Sequence, residues 1–254
     1  MKTIPFIKMH GLGNDYVYID ATRKETADII ANINPSVLAR RMSDRHWGVG
    51  SDGLVLILPS TCADLRMRMF NADGSEAEMC GNASRCIAKY AYEQGLCGRN
   101  MTLETLAGVK CLTLQTNTQN KVEQVTVEIG ISTGNPHEVF ILDTTDQFDS
   151  KFEELQIGSQ WAELRRKANI ECVYVLNRHE IKVRVCERGT GETMACGTGA
   201  CASAAAAMNE GLTENRVTVH LRGGDLDVQR DKKGILYLTG TATEVFRGTY
   251  NWEE

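Results

Sequence analysis

Two stretches carry the reading of this chain. The first is Asn71-Ala-Asp-Gly-Ser-Glu76-Ala-Glu-Met-Cys80-Gly-Asn-Ala-Ser-Arg-Cys-Ile-Ala-Lys-Tyr-Ala-Tyr-Glu-Gln-Gly-Leu96. The second is Glu187-Arg-Gly-Thr-Gly-Glu192-Thr-Met-Ala-Cys196-Gly-Thr-Gly-Ala-Cys-Ala-Ser-Ala-Ala-Ala-Ala-Met-Asn-Glu-Gly-Leu212. Laid on each other they agree: Cys80-Gly81 meets Cys196-Gly197, and Gln94-Gly95-Leu96 meets Glu210-Gly211-Leu212 at the same distance from each cysteine. Each is an acidic, Gly-rich turn, then Cys-Gly, then a helix closed by a glycine. Two cysteines in equivalent places point to one active site built from two halves.

Outward from these stretches, each half reads as several strands around one principal helix. Strands are expected at 4–9, 16–20, 54–58 and 65–70, and the continuous apolar run Leu54-Val-Leu-Ile-Leu58 predicts burial on both faces. A helix is expected over Pro35–Arg45, with proline near its start. Further strands are expected at 101–105, 109–115, 122–129, 139–142, 171–176 and 181–186, and four more between 216 and 250. The polar, helix-prone segment 144–168 offers Phe152, Leu155 and Trp161 as core contacts. The helix after Cys196 is nearly all alanine, which predicts a central, closely packed position. The polar run Asn117–Asn120 suggests a boundary, dividing the chain into 1–118, with a closing strand at 246–254, and 119–245. The class is α+β with two pseudo-symmetric domains.

Composition excludes several functions. The 254 residues suffice for one large core or two ordinary ones, with 42% hydrophobic and 24% charged residues, as in soluble globular proteins. A net charge of −5 without a basic run argues against nucleic acid. No apolar stretch has membrane-spanning length, and the opening Met1-Lys-Thr-Ile-Pro-Phe6 is no signal peptide, so a cytoplasmic location is expected. The nine cysteines are then free thiols, and Cys62, Cys97, Cys111, Cys172 and Cys186 are expected as small buried apolar residues.

A thiol at a helix start faces unpaired N–H groups and the positive end of the dipole, which favour the thiolate and hold a carboxylate nearby. Two such ends suit proton exchange at the α carbon of an amino acid: a thiolate takes the proton from one face and a thiol returns one on the other. Structural zinc is disfavoured, because Cys80 and Cys86, and Cys196 and Cys201, are not spaced as close pairs. One nucleophilic cysteine with His137 as base leaves the duplication unexplained. The loop His10-Gly-Leu-Gly-Asn-Asp15 reads equally as a hairpin turn or as a presenter of Asn14 to a ligand.

The runs Met9–Asp15, Phe70–Glu76 with Cys80-Gly-Asn82, Gly134-Asn-Pro-His137, Glu187–Glu192 and Ala195–Ala200 together resemble the diaminopimelate epimerase family, in order along nearly the whole chain. The resemblance implies two similar domains, each a mixed barrel-like sheet around a central helix, with the active site in the cleft between them. It implies interconversion of LL- and meso-diaminopimelate without pyridoxal phosphate, metal or other cofactor, on the route to lysine and peptidoglycan. Carried over by position, Cys80 and Cys196 are the acid–base pair, assisted by His137 and Glu187. Asn14, Asn71, Gly81, Asn82, Asn135, Asn169, Glu187, Arg188, Gly197 and Thr198 bind the small-molecule substrate. The family is often dimeric, which is compatible with a homodimer here. Three departures stand out: a short passage from Gly130 to Gly134, Leu164-Arg-Arg-Lys-Ala-Asn169 in place of a Phe-Pro pair before the asparagine, and Ala83-Ser84 after Cys-Gly-Asn. The alternatives are a same-fold racemase of another amino acid, such as histidine, and a non-catalytic binding or redox-sensing relative.

Overall fold

The computed structural model describes residues 2–133, 136–188 and 190–253. The chain forms two compact units, one of Met1–Gly11, Asp15–Val127 and Thr241–Glu254, the other of Leu12–Asn14 and Glu128–Gly240.

The first unit begins with β1 (Lys2–Gly11) and β2 (Asn14–Asp20), then α1 (Lys24–Ile30) and α2 (Pro35–Ser43). It continues through β3 (Gly53–Leu58), β4 (Leu65–Asn71), the two-residue β5 (Glu76–Ala77), α3 (Gly81–Glu93), β6 (Asn100–Thr105), β7 (Gly108–Thr116) and β8 (Val122–Gly130). The Leu54–Leu58 run is buried except at its last residue, as a strand covered on both faces should be. In β4 the arginines alternate with buried Leu65, Met67 and Met69. Asn34 starts α2 by accepting a hydrogen bond from the Ser36 N–H at 2.9 Å. The short α1 has no such side-chain cap, though Glu25 supplies an acidic group in its first turn.

The second unit runs β9 (His137–Leu142), α4 (Thr145–Ile157), a 3-10 turn at Ser159–Trp161, α5 (Ala162–Lys167), β10 (Asn169–Asn177) and β11 (Glu180–Glu187). Then come β12 (Gly191–Glu192), α6 (Gly197–Asn209), β13 (Arg216–Leu221), β14 (Gly224–Arg230) and β15 (Leu236–Gly240). Phe148, Phe152 and Leu155 of α4 pack on Ile170, Cys172 and Cys186, with Trp161 at the margin of that cluster. The alanine helix α6 packs against β9, β10, β11, β13, β14 and β15, because its small side chains let backbone approach on every side.

The topologies repeat. In the first unit β2-β3-β4-β6-β7-β8 are neighbours, and in the second β9-β10-β11-β13-β14-β15. The pairings in both run parallel, antiparallel, parallel, antiparallel, antiparallel. Both principal helices also end alike. Gly95 and Gly211 take positive φ (73° and 69°), and the N–H groups of Leu96 and Leu212 donate back to the carbonyls of Ala91 and Ala207. Only glycine adopts that left-handed turn at no steric penalty. The last strand, β16 (Thr243–Trp252), returns to the first unit and pairs antiparallel with β1. Trp252 joins the cluster of Ile4, Phe6, Val17, Ile19, Leu38, Met42 and Leu54, and Arg41 stacks over its ring at 4.5 Å.

Some expectations are corrected. Asn117–Asn120 closes the β7–β8 hairpin, and the units divide further on, inside β8. Cys62 and Cys111 are exposed and Cys97 is half-buried, whereas Cys172 and Cys186 are buried. Among the described residues, no helix is long and apolar enough to cross a membrane.

Candidate active site

In the first unit the chain leaves β4, turns through Ala72–Ser75 and enters α3 with Cys80 as the helix N-cap, in extended backbone (φ −139°, ψ 122°). The carbonyl of Cys80 accepts both the N–H and the hydroxyl of Ser84, each at 2.9 Å, which fixes the turn. Asn71 holds the loop that precedes it: its N–H donates to the Ser75 carbonyl (2.8 Å) and its side-chain amide to the Ser75 hydroxyl (2.9 Å). Gly81 and Asn82 are buried in the first turn. The Asn82 side-chain oxygen accepts from Arg85 at 2.7 Å, and Arg85, itself buried, donates to the Thr241 backbone carbonyl at 3.1 Å. Gly11 is required here, since a β carbon on it would come within 2.9 Å of that guanidinium and 3.1 Å of the Asn82 side chain. Asn14 opens β2 and is half-buried. Behind Cys80 lie neutral groups. Burial pushes the Cys86 thiol up to about 11, and it also keeps the Tyr18 phenol, beside Cys86 and Cys80, un-ionised.

In the second unit the corresponding path runs from β11 through a turn to Cys196, the N-cap of α6. Gly199 N–H donates to its sulfur at 3.3 Å, and the Thr198 hydroxyl lies 3.4 Å from it. Gly197 and Thr198 are buried in the first turn. Glu187 ends β11 and accepts the Thr193 hydroxyl at 2.6 Å. Asn169 opens β10 beside His137 in parallel register, donates its N–H to the Pro136 carbonyl (3.0 Å), and its side-chain oxygen accepts the Arg188 N–H (2.9 Å). The Arg188 residue is exposed. Asn135 lies outside the described residues.

The surroundings of Cys196 overturn one expectation. The helix start does supply an N–H to the sulfur, yet burial pushes this thiol well above its ordinary value, and the charges of Glu187 and Glu171 push it further. The Thr198 hydroxyl and the Gly199 N–H only partly offset this. Cys196 is therefore held as a thiol, suited to donate a proton. Glu171 was not among the residues singled out from the sequence. Its signal was there, a glutamate set between Ile170 and Cys172 in a strand of buried residues.

A further pair of contacts repeats. Arg68 grips Glu76 through two hydrogen bonds (2.7 and 3.0 Å), and Arg184 grips Glu192 likewise (2.9 and 3.1 Å). Both clamps tie the strand to the short arm that leads into the cysteine turn.

Residues 6–131 match the diaminopimelate epimerase family, and residues 129–245 match it again. The chain belongs to this family. One model covering each half in turn agrees with the repeated topology. Relatives described as diaminopimelate epimerases include those of Acetivibrio thermocellus (41% identical, covering 98% of this chain and 99% of that one) and Pelotomaculum thermopropionicum (42%, 96% and 98%). The methanogen Methanococcus maripaludis has another at 41%, covering 96% of this chain and 98% of its own. Among solved structures, a phenazine biosynthesis protein of the PhzF family from Bacillus anthracis superposes with a TM-score of 0.70 at 18% identity, covering 99% of this chain and 100% of that one. A probable proline racemase from Agrobacterium radiobacter gives 0.69 at 16%, over 98% and 93%. At those identities the likeness carries the fold of this family member alone.

Proposed function

We propose that this chain is an amino-acid epimerase that interconverts LL- and meso-diaminopimelate, without pyridoxal phosphate, in lysine and peptidoglycan biosynthesis. The observation that carries the reading is the duplication: each half matches the family and each presents a cysteine at the start of its principal helix.

The chemistry follows from the two turns. Backbone N–H groups at Gly81-Asn82 and Gly197-Thr198 hold the substrate α-carboxylate, where charge develops as Cα is deprotonated. From one isomer, the Cys80 thiolate takes the Cα proton, and the electron pair stays on Cα and spreads into the carboxylate. The Cys196 thiol then delivers its proton to the opposite face, leaving Cys80 as thiol and Cys196 as thiolate. The other isomer reacts by the reverse path. A substrate ammonium beside Glu187 offsets the charge that adds to burial in holding Cys196 protonated, which brings the thiolate needed for the reverse path nearer with substrate bound. Asn82 acts with the two turns on the reacting carboxylate end, while Arg188 with Asn14, Asn71, Asn135 and Asn169 reads the distal amino-acid end. The cytoplasm suits a protein with exposed thiols at Cys62 and Cys111.

The test is deuterium uptake at Cα in D2O under reducing conditions, with LL- and meso-diaminopimelate and a panel of single L-amino acids including histidine. Uptake with inversion on diaminopimelate alone is expected. Uptake on another amino acid instead would reassign the substrate, and none on any, from folded and reduced protein, would end the catalytic reading.

A further inference from the structure

Glu171 is fully buried in β10, and the mechanism above gives it no step. Its Oε1 lies 2.7 Å from His137 Nδ1, and both side chains are almost wholly shielded from water. Its Oε2 is buried and has no partner among the described residues, as is His137 Nε2. Leaving a carboxylate oxygen and a ring nitrogen in that state is expensive, so a fold with no use for them should not keep them.

The fold itself does not call for a carboxylate at this place. In the repeat, Glu171 pairs across the ladder with Val185, and in the first unit Val55 pairs with Met69 at the same offset from the cysteine. Val55 is buried and apolar. The second unit thus holds a carboxyl group where the first makes do with a valine; burial raises its pKa, and the His137 contact works against that rise. The carboxylate also comes up against the helix carrying Cys196. A β carbon on Gly199 would lie 2.7 Å from Glu171 Oε1 and 3.4 Å from the Cys196 sulfur. Carboxylate and thiol flank one point on the first turn of α6, and glycine is what lets the carboxylate in.

We propose that Glu171 is a positioning residue for the Cys196 half of the reaction: it accepts the Nδ1–H of His137, which leaves Nε2 as a bare acceptor, and it adds negative charge beside the thiol. A neutral imidazole has one donor and one acceptor nitrogen, and the bond made by the first decides the role of the second. Fixed this way, Nε2 can accept only from a donor, such as a substrate N–H or the Cys196 S–H. This rests on the epimerase reading for its catalytic consequence, though not for the tautomer.

The tautomer is measured directly by 15N NMR of histidine-labelled protein without substrate, with the His137 signals assigned by their loss in His137→Gln. Expected is a protonated Nδ1 and a bare Nε2 in the wild type at neutral pH. Glu171→Val, the residue used at the equivalent position 55, should release the ring to the Nε2–H form, while Glu171→Gln keeps an acceptor oxygen without the charge. Epimerisation by both folded variants should lose about tenfold or more in kcat with KM changed by less than about threefold, Val more than Gln. An Nε2–H ring in the wild type, or a folded Glu171→Val protein with unchanged tautomer or unchanged kcat, overturns the proposal. Wild-type protein inactive on every amino acid would defeat the epimerase reading, while the tautomers of wild type and Glu171→Val would still decide the role of Glu171.

Discussion

The two cysteine turns share a scaffold and differ in charge. Strand order, pairing direction, the arginine–glutamate clamp and the glycine that ends the helix all recur at a constant offset. Where the first unit has Asn71 at the end of its strand, the second has Glu187, and where the first has Val55, the second has Glu171. Cys80 sits before Tyr18 and Cys86, both held neutral, whereas Cys196 keeps its proton through burial and, after it, through the carboxylates of Glu187 and Glu171. Duplication built the frame, and a few substitutions made the halves unlike. An enzyme that must start each turnover with one base and one acid gains from that difference, since it decides which of the two thiols keeps the proton.

The comparison breaks most sharply at the cysteines. Cys80→Ala and Cys196→Ala should each lower epimerisation by about a thousandfold or more, because each face of Cα needs its own proton carrier. Both variants should fold, as circular dichroism would show, and full turnover by either would sink the two-base mechanism.

Next in size is the first turn of each helix. Gly199 and Ala83 occupy equivalent places, and the first unit carries a β carbon there without harm. Gly199→Ala should drive the new methyl into the Glu171 carboxylate, destabilising by about 1–3 kcal/mol and lowering kcat. Ala83→Gly should cost about 1 kcal/mol at most, as glycine in a helix does, with kcat nearly unchanged. Thermal melts and kcat on the pair check this; equal effects would show that the two turns are packed alike.

The smallest effects are at the clamps. Glu192 is the better shielded glutamate and also meets Arg222 at 2.9 Å, so Glu192→Gln should destabilise by about 1–2 kcal/mol and Glu76→Gln by less than about 1. Arg68 lowers the Glu76 carboxyl below its ordinary value. Burial would raise Glu192, but Arg184 and then Arg222 overcome that and lower it too. A carboxyl whose folded value is depressed contributes stability above its unfolded value, about 4.3, and loses that contribution as pH falls through the folded value. Urea titrations should therefore show the gap between wild type and Glu192→Gln at pH 7 and its closing below about pH 4. A gap that persists in acid would mean that packing, not charge, makes the clamp.

Much of this was legible in the chain. The spacing of Cys-Gly and of the closing glycines gave the repeat. Leu54–Leu58 announced a doubly covered strand, and the alanine run after Cys196 announced a helix packed on several sides. What stayed hidden depends on contacts distant in sequence. The proton on Cys196 is set by burial and by Glu171 and Glu187, which outweigh the helix start that the local sequence displays. The exposure of Cys62 and Cys111 follows from their places in a turn and on the outer face of β7, which residue type does not reveal. The seven-residue α1 has too few turns to show a period.

The pairing of β1 with β16 has a consequence for synthesis on the ribosome. Of the ladder partners of β1, β16 follows every residue of the second unit in the chain. While the polypeptide emerges, Ile4 and Phe6 wait without Trp252, and the first unit stays open along one edge. The second unit, drawn from Glu128–Gly240, has its own strands in hand sooner. The half made first is thus the half completed last.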